Sequence, residues 1–225
     1  RTRNTDDTSH IICNITLNCE EHVFYDEGFF AKRLQKSEAF LNILISYLDE
    51  WSKKTGRILA DGVTRNNFLY ETSYGHRRSR TGTQHYNSIE ILLNGVEQAC
   101  IKHAEQNSDW WKTWAQCLWN NAECALRYMA LCGLIRNPQS NLPLVEHILL
   151  HLTDRSACIH FDYELACLLG AASPHLDMDV LQEIQNNILL LHEDQLALEE
   201  TNIGYVWKTR RDCLIEIPAP YRSLK

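Results

Sequence analysis

The chain has 225 residues, 44% of them hydrophobic, which is enough to bury a core and argues against a disordered chain. Its formal net charge of -7 speaks against a surface built to neutralise phosphates, because such binding draws on clustered Lys and Arg, and nucleic acid is not the expected partner. No apolar run reaches the roughly 18 residues of a membrane span, and the opening RTRNTDDTSH lacks the apolar stretch of a signal peptide. The expected setting is therefore the cytoplasm, without a membrane partner.

In chain order, the first residues to weigh are Cys13, Cys19 and His22, a C-x5-C-x2-H cluster. With Cys100 and His103 further on, they supply enough ligand types for a tetrahedral zinc site if the fold joins them. The nine cysteines are odd in number and scattered, and several fall on apolar helix faces. They are expected to be reduced and mostly buried, with no metal and no cofactor. Arg1 stands where an initiating Met would, which suggests a piece of a longer polypeptide whose remainder is itself a partner.

From Phe40, the residues Ile43, Leu44, Tyr47, Leu48 and Trp51 recur at helical spacing, and Gly56 can stop the helix they predict. Residues 57–86 show no period and read as a long basic loop. Within it, SYGHRRSRTG sets Arg77, Arg78 and Arg80 beside His76 in an otherwise acidic chain. Arg supplies a bidentate fork for phosphate or carboxylate, so these four are the candidate partner-binding residues. Asn87 and Glu90 have the spacing of a capping box. They open a helix whose expected buried face carries Ile91, Leu92, Val96, Ala99 and His103.

The next stretch, DWWKTWAQCLWNNAECALRYMALCGLIRNP, holds four of the six Trp. Thr113, Gln116, Asn120, Glu123 and Arg127 follow at spacings of three and four, which predicts one helix with a single polar stripe, Glu123 and Arg127 at ion-pair spacing, and core on two sides. Asn121 stands outside the stripe. A stacking platform for bases needs exposed aromatics in a basic setting, so core packing is the expected role of these tryptophans.

NPQSNLPLVEHILLHL from Asn137 and SPHLDMDVLQEIQNNI from Ser173 overlay with an offset of 36 residues. Leu144 then falls on Val180, Val145 on Leu181, Ile148 on Ile184 and Leu152 on Ile188. Each copy is a helix, a Pro-containing turn and a second helix, a period between those of tetratricopeptide and HEAT repeats. The expected fold class is all-α: helical hairpins stacked as a degenerate α-solenoid, with a short extended segment at the C-terminus over Cys213 to Ile217. The organisation read from the sequence is an N-terminal segment and amphipathic helix in 1–56, the loop in 57–86, the repeat unit in 87–200 and an extended tail in 201–225, together one domain of a larger chain.

Catalytic signatures such as a Gly-Lys-Ser/Thr phosphate loop, a Gly-x-Ser-x-Gly elbow and a His-Glu-x-x-His pair do not occur. Arg155 to His160 (RSACIH) and Arg80 to His85 (RTGTQH) have the arginine-to-histidine spacing of the HEPN ribonucleases, which resemblance would make Arg155 and His160 a catalytic pair acting on RNA. Ser156 and Thr81 stand after the arginines, where that family usually carries Asn, Asp or His. DGVTRNNFLYETSYGHRRSR, the tryptophan stretch and the helical continuation over residues 60–195 resemble the helical regions of bacterial STAND-type NTPases of antiphage defence. That resemblance implies a non-catalytic sensor that grips a protein partner, a phage protein, while NTPase and effector modules lie elsewhere in the parent chain. A plain structural scaffold is the third reading.

Overall fold

The computed structural model describes residues 27–59, 61–67, 88–153, 161–192 and 203–222. They form nine α-helices: α1 (Glu27–Lys36), α2 (Glu38–Thr55), α3 (Ser88–Glu105), α4 (Asp109–Trp119), α5 (Cys124–Arg136), α6 (Leu142–Leu150), α7 (Asp162–Ala172), α8 (Met178–Ile188) and α9 (Ile203–Glu216). Short 3-10 turns follow α5, α7 and α9 at Pro138–Asn141, Ser173–His175 and Ala219–Tyr221. Among the described residues the only strand-like pairings are two isolated bridges, Ile58 with Arg65 and Arg65 with Glu123.

Local chemistry sets the helix ends. Ser37 caps α2 by accepting from the Phe40 N–H, and Gly56 ends it at φ 68°, a conformation costly for any residue with a Cβ. Ser108 caps α4 through the Trp111 N–H. Each 3-10 turn has Pro in its first or second position, where the missing N–H costs nothing.

Packing follows a regular plan. Extensive helix contacts run α1 to α3, α3 to α5, α5 to α7 and α7 to α9, so the first helices of successive pairs lie side by side, and α4 packs on α5 as extensively as α7 does. They run the same way. Arg136 at the end of α5 bonds Glu105 at the end of α3, and Asn137 donates to the Ala104 carbonyl. Gln139 bonds His175 beyond the ends of α5 and α7. Among the second helices, α6 packs against α8, and α2 is tied to α4 by the Trp110 Nε1 donating to Asn42 Oδ1 at 2.6 Å.

The core centres on α5, in which every residue from Cys124 to Leu134 is buried. Trp111 of α4 is fully inaccessible and its six-membered ring abuts Gly133 of that helix: a Cβ there would stand 2.2 Å from Trp111 Cη2. Its indole N–H, which burial obliges to find an acceptor, donates to Ser140 Oγ at 2.8 Å.

Three expectations need correcting. The tryptophan stretch is two helices: Asn120 caps α4, and the Asn121 side chain accepts from the Glu123 N–H at 2.8 Å, a local bond that competes with helix. Glu123 and Arg127 are accordingly buried rather than on a solvent stripe. In α2 the buried residues are Leu41, Leu44, Ile45, Leu48 and Ser52, while Phe40 and Ile43 are exposed. The apolar spacing was right and its rotation wrong, because buried Ser52 belongs to the inner face. Lastly, Cys213 to Glu216 is not extended but the last turn of α9, with Cys213 packed inward and Pro218 ending the helix.

The positions that overlay at the 36-residue offset are mostly turned inward. Leu144, Val145, Ile148 and Leu152 are buried in one copy, and Leu181, Ile184 and Ile188 in the other, with Val180 half-buried.

Candidate functional site

Two places concentrate polar chemistry. The first is a groove of about 500 Å³ across the first-helix layer. Gln35 of α1 borders it, followed by Gln98, Ile101, Lys102 and Glu105 of α3, then Cys132, Ile135 and Arg136 of α5, then Tyr163, Glu164 and Cys167 of α7. The parallel course of these helices brings side chains of α3, α5 and α7, together with Gln35 of α1, around one groove. Glu105 links two of them, accepting from Arg136 Nε at 2.7 Å and pairing with Lys102 Nζ at 3.4 Å. The hydrogen bond from Arg136 comes first among the causes that hold the Glu105 carboxyl below its ordinary value. Lys102 and Arg136 keep 44% and 66% of their side-chain surface exposed, so both cations remain within reach of a ligand.

The second is a buried polar node joining α2, the 57–67 segment and the start of α5. Glu123 Oε2 accepts from Ser52 Oγ at 2.5 Å and from Asn67 Nδ2 at 3.2 Å, while Oε1 accepts from the Ala125 N–H. Arg65 donates to Ser52 Oγ at 2.7 Å and pairs with Asp49 at 2.6 Å, and Asn121 also donates to Asp49. Asp61 shapes the preceding turn, accepting from the Val63 and Thr64 N–H groups. The Arg65 backbone bonds both Ala122 O and the Cys124 N–H, stitching the segment onto the α4–α5 turn.

Electrostatics within the node are divided. Burial pushes the Glu123 carboxyl up, against the hydrogen bonds from Ser52, Ala125 and Asn67. Burial pushes Asp49 up as well, but hydrogen bonds from Lys53 and Asn121 and the charges of Lys53 and Arg65 outweigh it, so its carboxyl sits below the ordinary value. Ser52 and Glu123 are 0% exposed, so no substrate reaches this carboxylate, and the node works as a structural clamp.

The residues singled out from the sequence fare unevenly. His76, Arg77, Arg78 and Arg80, the Cys13, Cys19 and His22 cluster, and Arg155 with His160 all lie outside the described residues. Cys100 and His103 are on α3 and buried. Burial pushes the Cys100 thiol up, which keeps it protonated and unsuited to zinc. His103 bonds Ser108 and packs at a tilt against Trp110, and burial lowers its pKa against the pull of Glu38. Among the described residues no group of three or more His, Cys, Asp or Glu is arranged to hold a metal ion. Nor is any helix of theirs long and apolar enough to cross a membrane.

The groove residues were missed because they are spread over four helices, and only the packing makes them neighbours. A weak signal existed in Lys102, Glu105 and Arg136, charged residues in the last turns of helices otherwise read as core. Compared with protein-family models, curated proteins and solved structures, the chain matches none of them.

Proposed function

We propose that this chain is a protein-binding helical-repeat module, a degenerate α-solenoid whose ligand lies in the groove across α1, α3, α5 and α7. The observation that carries the reading is the groove itself: a channel continuous over four parallel helices, lined by polar, charged and a few apolar side chains. Stacked helix pairs present such surfaces by construction, because each pair adds one row of side chains to the same face. The 36-residue correspondence and the α6-to-α8 packing support the solenoid arrangement. Recognition would use a broad preformed surface in which Lys102 and Arg136 meet carboxylates of the partner while Ile101, Ile135 and Tyr163 supply apolar contact.

The resemblance to sensor regions of STAND-type NTPases supports a target-sensing role, with a phage protein as ligand. The test is affinity capture by the 225-residue chain from infected and uninfected bacterial lysates, beside Lys102→Glu/Arg136→Glu and a control, Lys112→Glu, at an exposed position of α4. A protein captured only from infected cells, by wild type and by the control but not by the groove variant, supports both the site and the role. Capture that the groove variant retains removes the groove from the proposal. Capture equal in the two lysates removes the sensor role.

A further inference from the structure

Away from the groove, α9 buries Val206, Thr209, Arg210 and Cys213 against its neighbours, chiefly α7, and turns its other side to solvent. On that side Ile203, Trp207, Arg211 and Ile215 follow at intervals of four, which sets them in one ridge along the helix. Trp207 and Ile215 are each 56% exposed, and Ile203 is exposed as well. Of the six tryptophans, all among the described residues, Trp207 alone is exposed. The Arg210 guanidinium lies 5.4 Å from the centroid of its ring, and the remaining surface of the indole is open. None of these residues lines the groove. An exposed tryptophan in an apolar ridge marks a contact surface, because large aromatics are the side chains that anchor interfaces.

We infer that this face of α9 is the interface with a second copy of the chain, the two α9 helices lying antiparallel about a two-fold axis level with Thr209. The order of the ridge singles out that partner. The axis sets Ile203 against the partner's Ile215 and Trp207 against the partner's Arg211, and an isologous interface makes each contact twice. A guanidinium over an indole face is a favourable cation–π pair, so the cation that interrupts the apolar ridge falls opposite an aromatic ring. Charge agrees with the same axis. Lys208 and the partner's Asp212 come within two residues of each other along the helices, about 3 Å at the helical rise, on the same flank of the contact. Arg211 holds Asp212 of its own chain at 2.9 Å, but these side chains keep 64% and 45% of their surface exposed, so the carboxylate stays within reach of a second cation. A parallel pairing would instead oppose Arg211 to Arg211 and Lys208 to Lys208, and like charges disfavour it. Ridges at a spacing of four interdigitate with the helices crossed at about 50°, which limits the contact to a few side chains. The dimer therefore belongs to the small, weak class of interfaces, below about 1,200 Å².

The test is sedimentation velocity of the whole chain across a range of protein concentrations. Wild type is set beside Trp207→Ala, Ile215→Glu and, as a control, Ile43→Glu at an exposed apolar position of α2. Circular dichroism melts establish that each variant is folded. The expected result is a reversible monomer–dimer equilibrium in wild type and Ile43→Glu, weakened at least about tenfold by either change on α9, as loss of an anchoring side chain does. Charge reversal tests the direction of the pairing. Lys208→Asp and Asp212→Lys should each weaken the dimer, and the two together should restore it, because the reversed pairs attract again. A wild type that stays monomeric at every concentration would overturn the inference and leave this face to a different chain. Dimerisation that survives both Trp207→Ala and Ile215→Glu would place the interface elsewhere and overturn it as well. A double charge variant as weak as the single ones would overturn the antiparallel arrangement.

Discussion

Trp111 and Glu123 are equally shut off from water, each 0% exposed and each packed against α5, yet they hold the protein by opposite means. Trp111 contributes apolar area and shape, and its one polar atom needs one partner, Ser140. Glu123 contributes almost no apolar area. It organises donors from α2, the 57–67 segment and its own helix around two oxygens. The difference lies in what each tolerates: the tryptophan site is sensitive to volume and the glutamate site to hydrogen-bond polarity.

The largest effect is expected at the tryptophan. Trp111→Ala should cost about 3–5 kcal/mol of unfolding free energy, as deletion of a large buried aromatic does. Gly133→Ala attacks the same contact from the other side. Alanine gains about 1 kcal/mol of helix propensity, but its Cβ at 2.2 Å from the indole cannot be accommodated without moving it. A net loss is expected, with overpacking strain of about 1–3 kcal/mol. Combining Gly133→Ala with Trp111→Phe should cost less than the sum of the single changes, because the smaller ring vacates the space. Urea midpoints of the four proteins measure this, and simple additivity would mean that the two residues do not share the contact.

Polarity is tested next. Glu123→Gln preserves volume but presents an N–H₂ group to the donors of Ser52, Asn67 or Ala125, so at least one donor is left facing another. The expected cost is about 1–3 kcal/mol, that of an unsatisfied buried polar group. Should Glu123→Gln be as stable as wild type at pH 7, the carboxylate is not what the donors require.

The pH dependence separates the node from α3. Because burial raises the Glu123 pKa above its unfolded value, its stabilising contribution is complete below about 4.5 and is lost as pH rises through the folded value. His103 behaves in the opposite sense. Its pKa is lowered by burial, so its contribution is complete above about 6.5 and is lost as pH falls through the folded value. Between pH 7 and pH 5, His103→Gln should therefore flatten a loss of stability, and Glu123→Gln should remove a gain. Urea midpoints across that range decide it, and parallel curves for both variants and wild type would contradict both directions.

The same contrast explains what the sequence could reveal. Apolar periodicity made α2, α3 and the α5–α6 and α7–α8 hairpins legible, since a buried face leaves its spacing in the chain. It also led to error where polar residues were buried. Ser52, Glu123 and Arg127 have the spacing of a solvent face, and nothing local says that Arg65 and Asn67 arrive to pair with them. Asn121, which fitted no stripe, was the one visible mark of the break between α4 and α5. At α9 the charged run from Lys208 to Asp212 hid an amphipathic helix, and two prolines beyond it suggested an extended tail. The groove had only the weak linear signature of Lys102, Glu105 and Arg136, because its residues belong to four helices brought together by packing.

The smallest stability effect should come from the groove, and there smallness is informative. Arg136 pairs with Glu105 at 2.7 Å but is 66% exposed, and an ion pair so wet contributes about 0–1 kcal/mol. Arg136→Ala should therefore leave the urea midpoint nearly unchanged while weakening capture of the partner. High salt should affect capture in the same direction, since the charges that meet the partner at an exposed rim are screened within about 10 Å. A loss of several kcal/mol on Arg136→Ala would instead make this residue part of the scaffold, as Glu123 is. The channel would then be a by-product of stacking rather than a surface kept for a ligand.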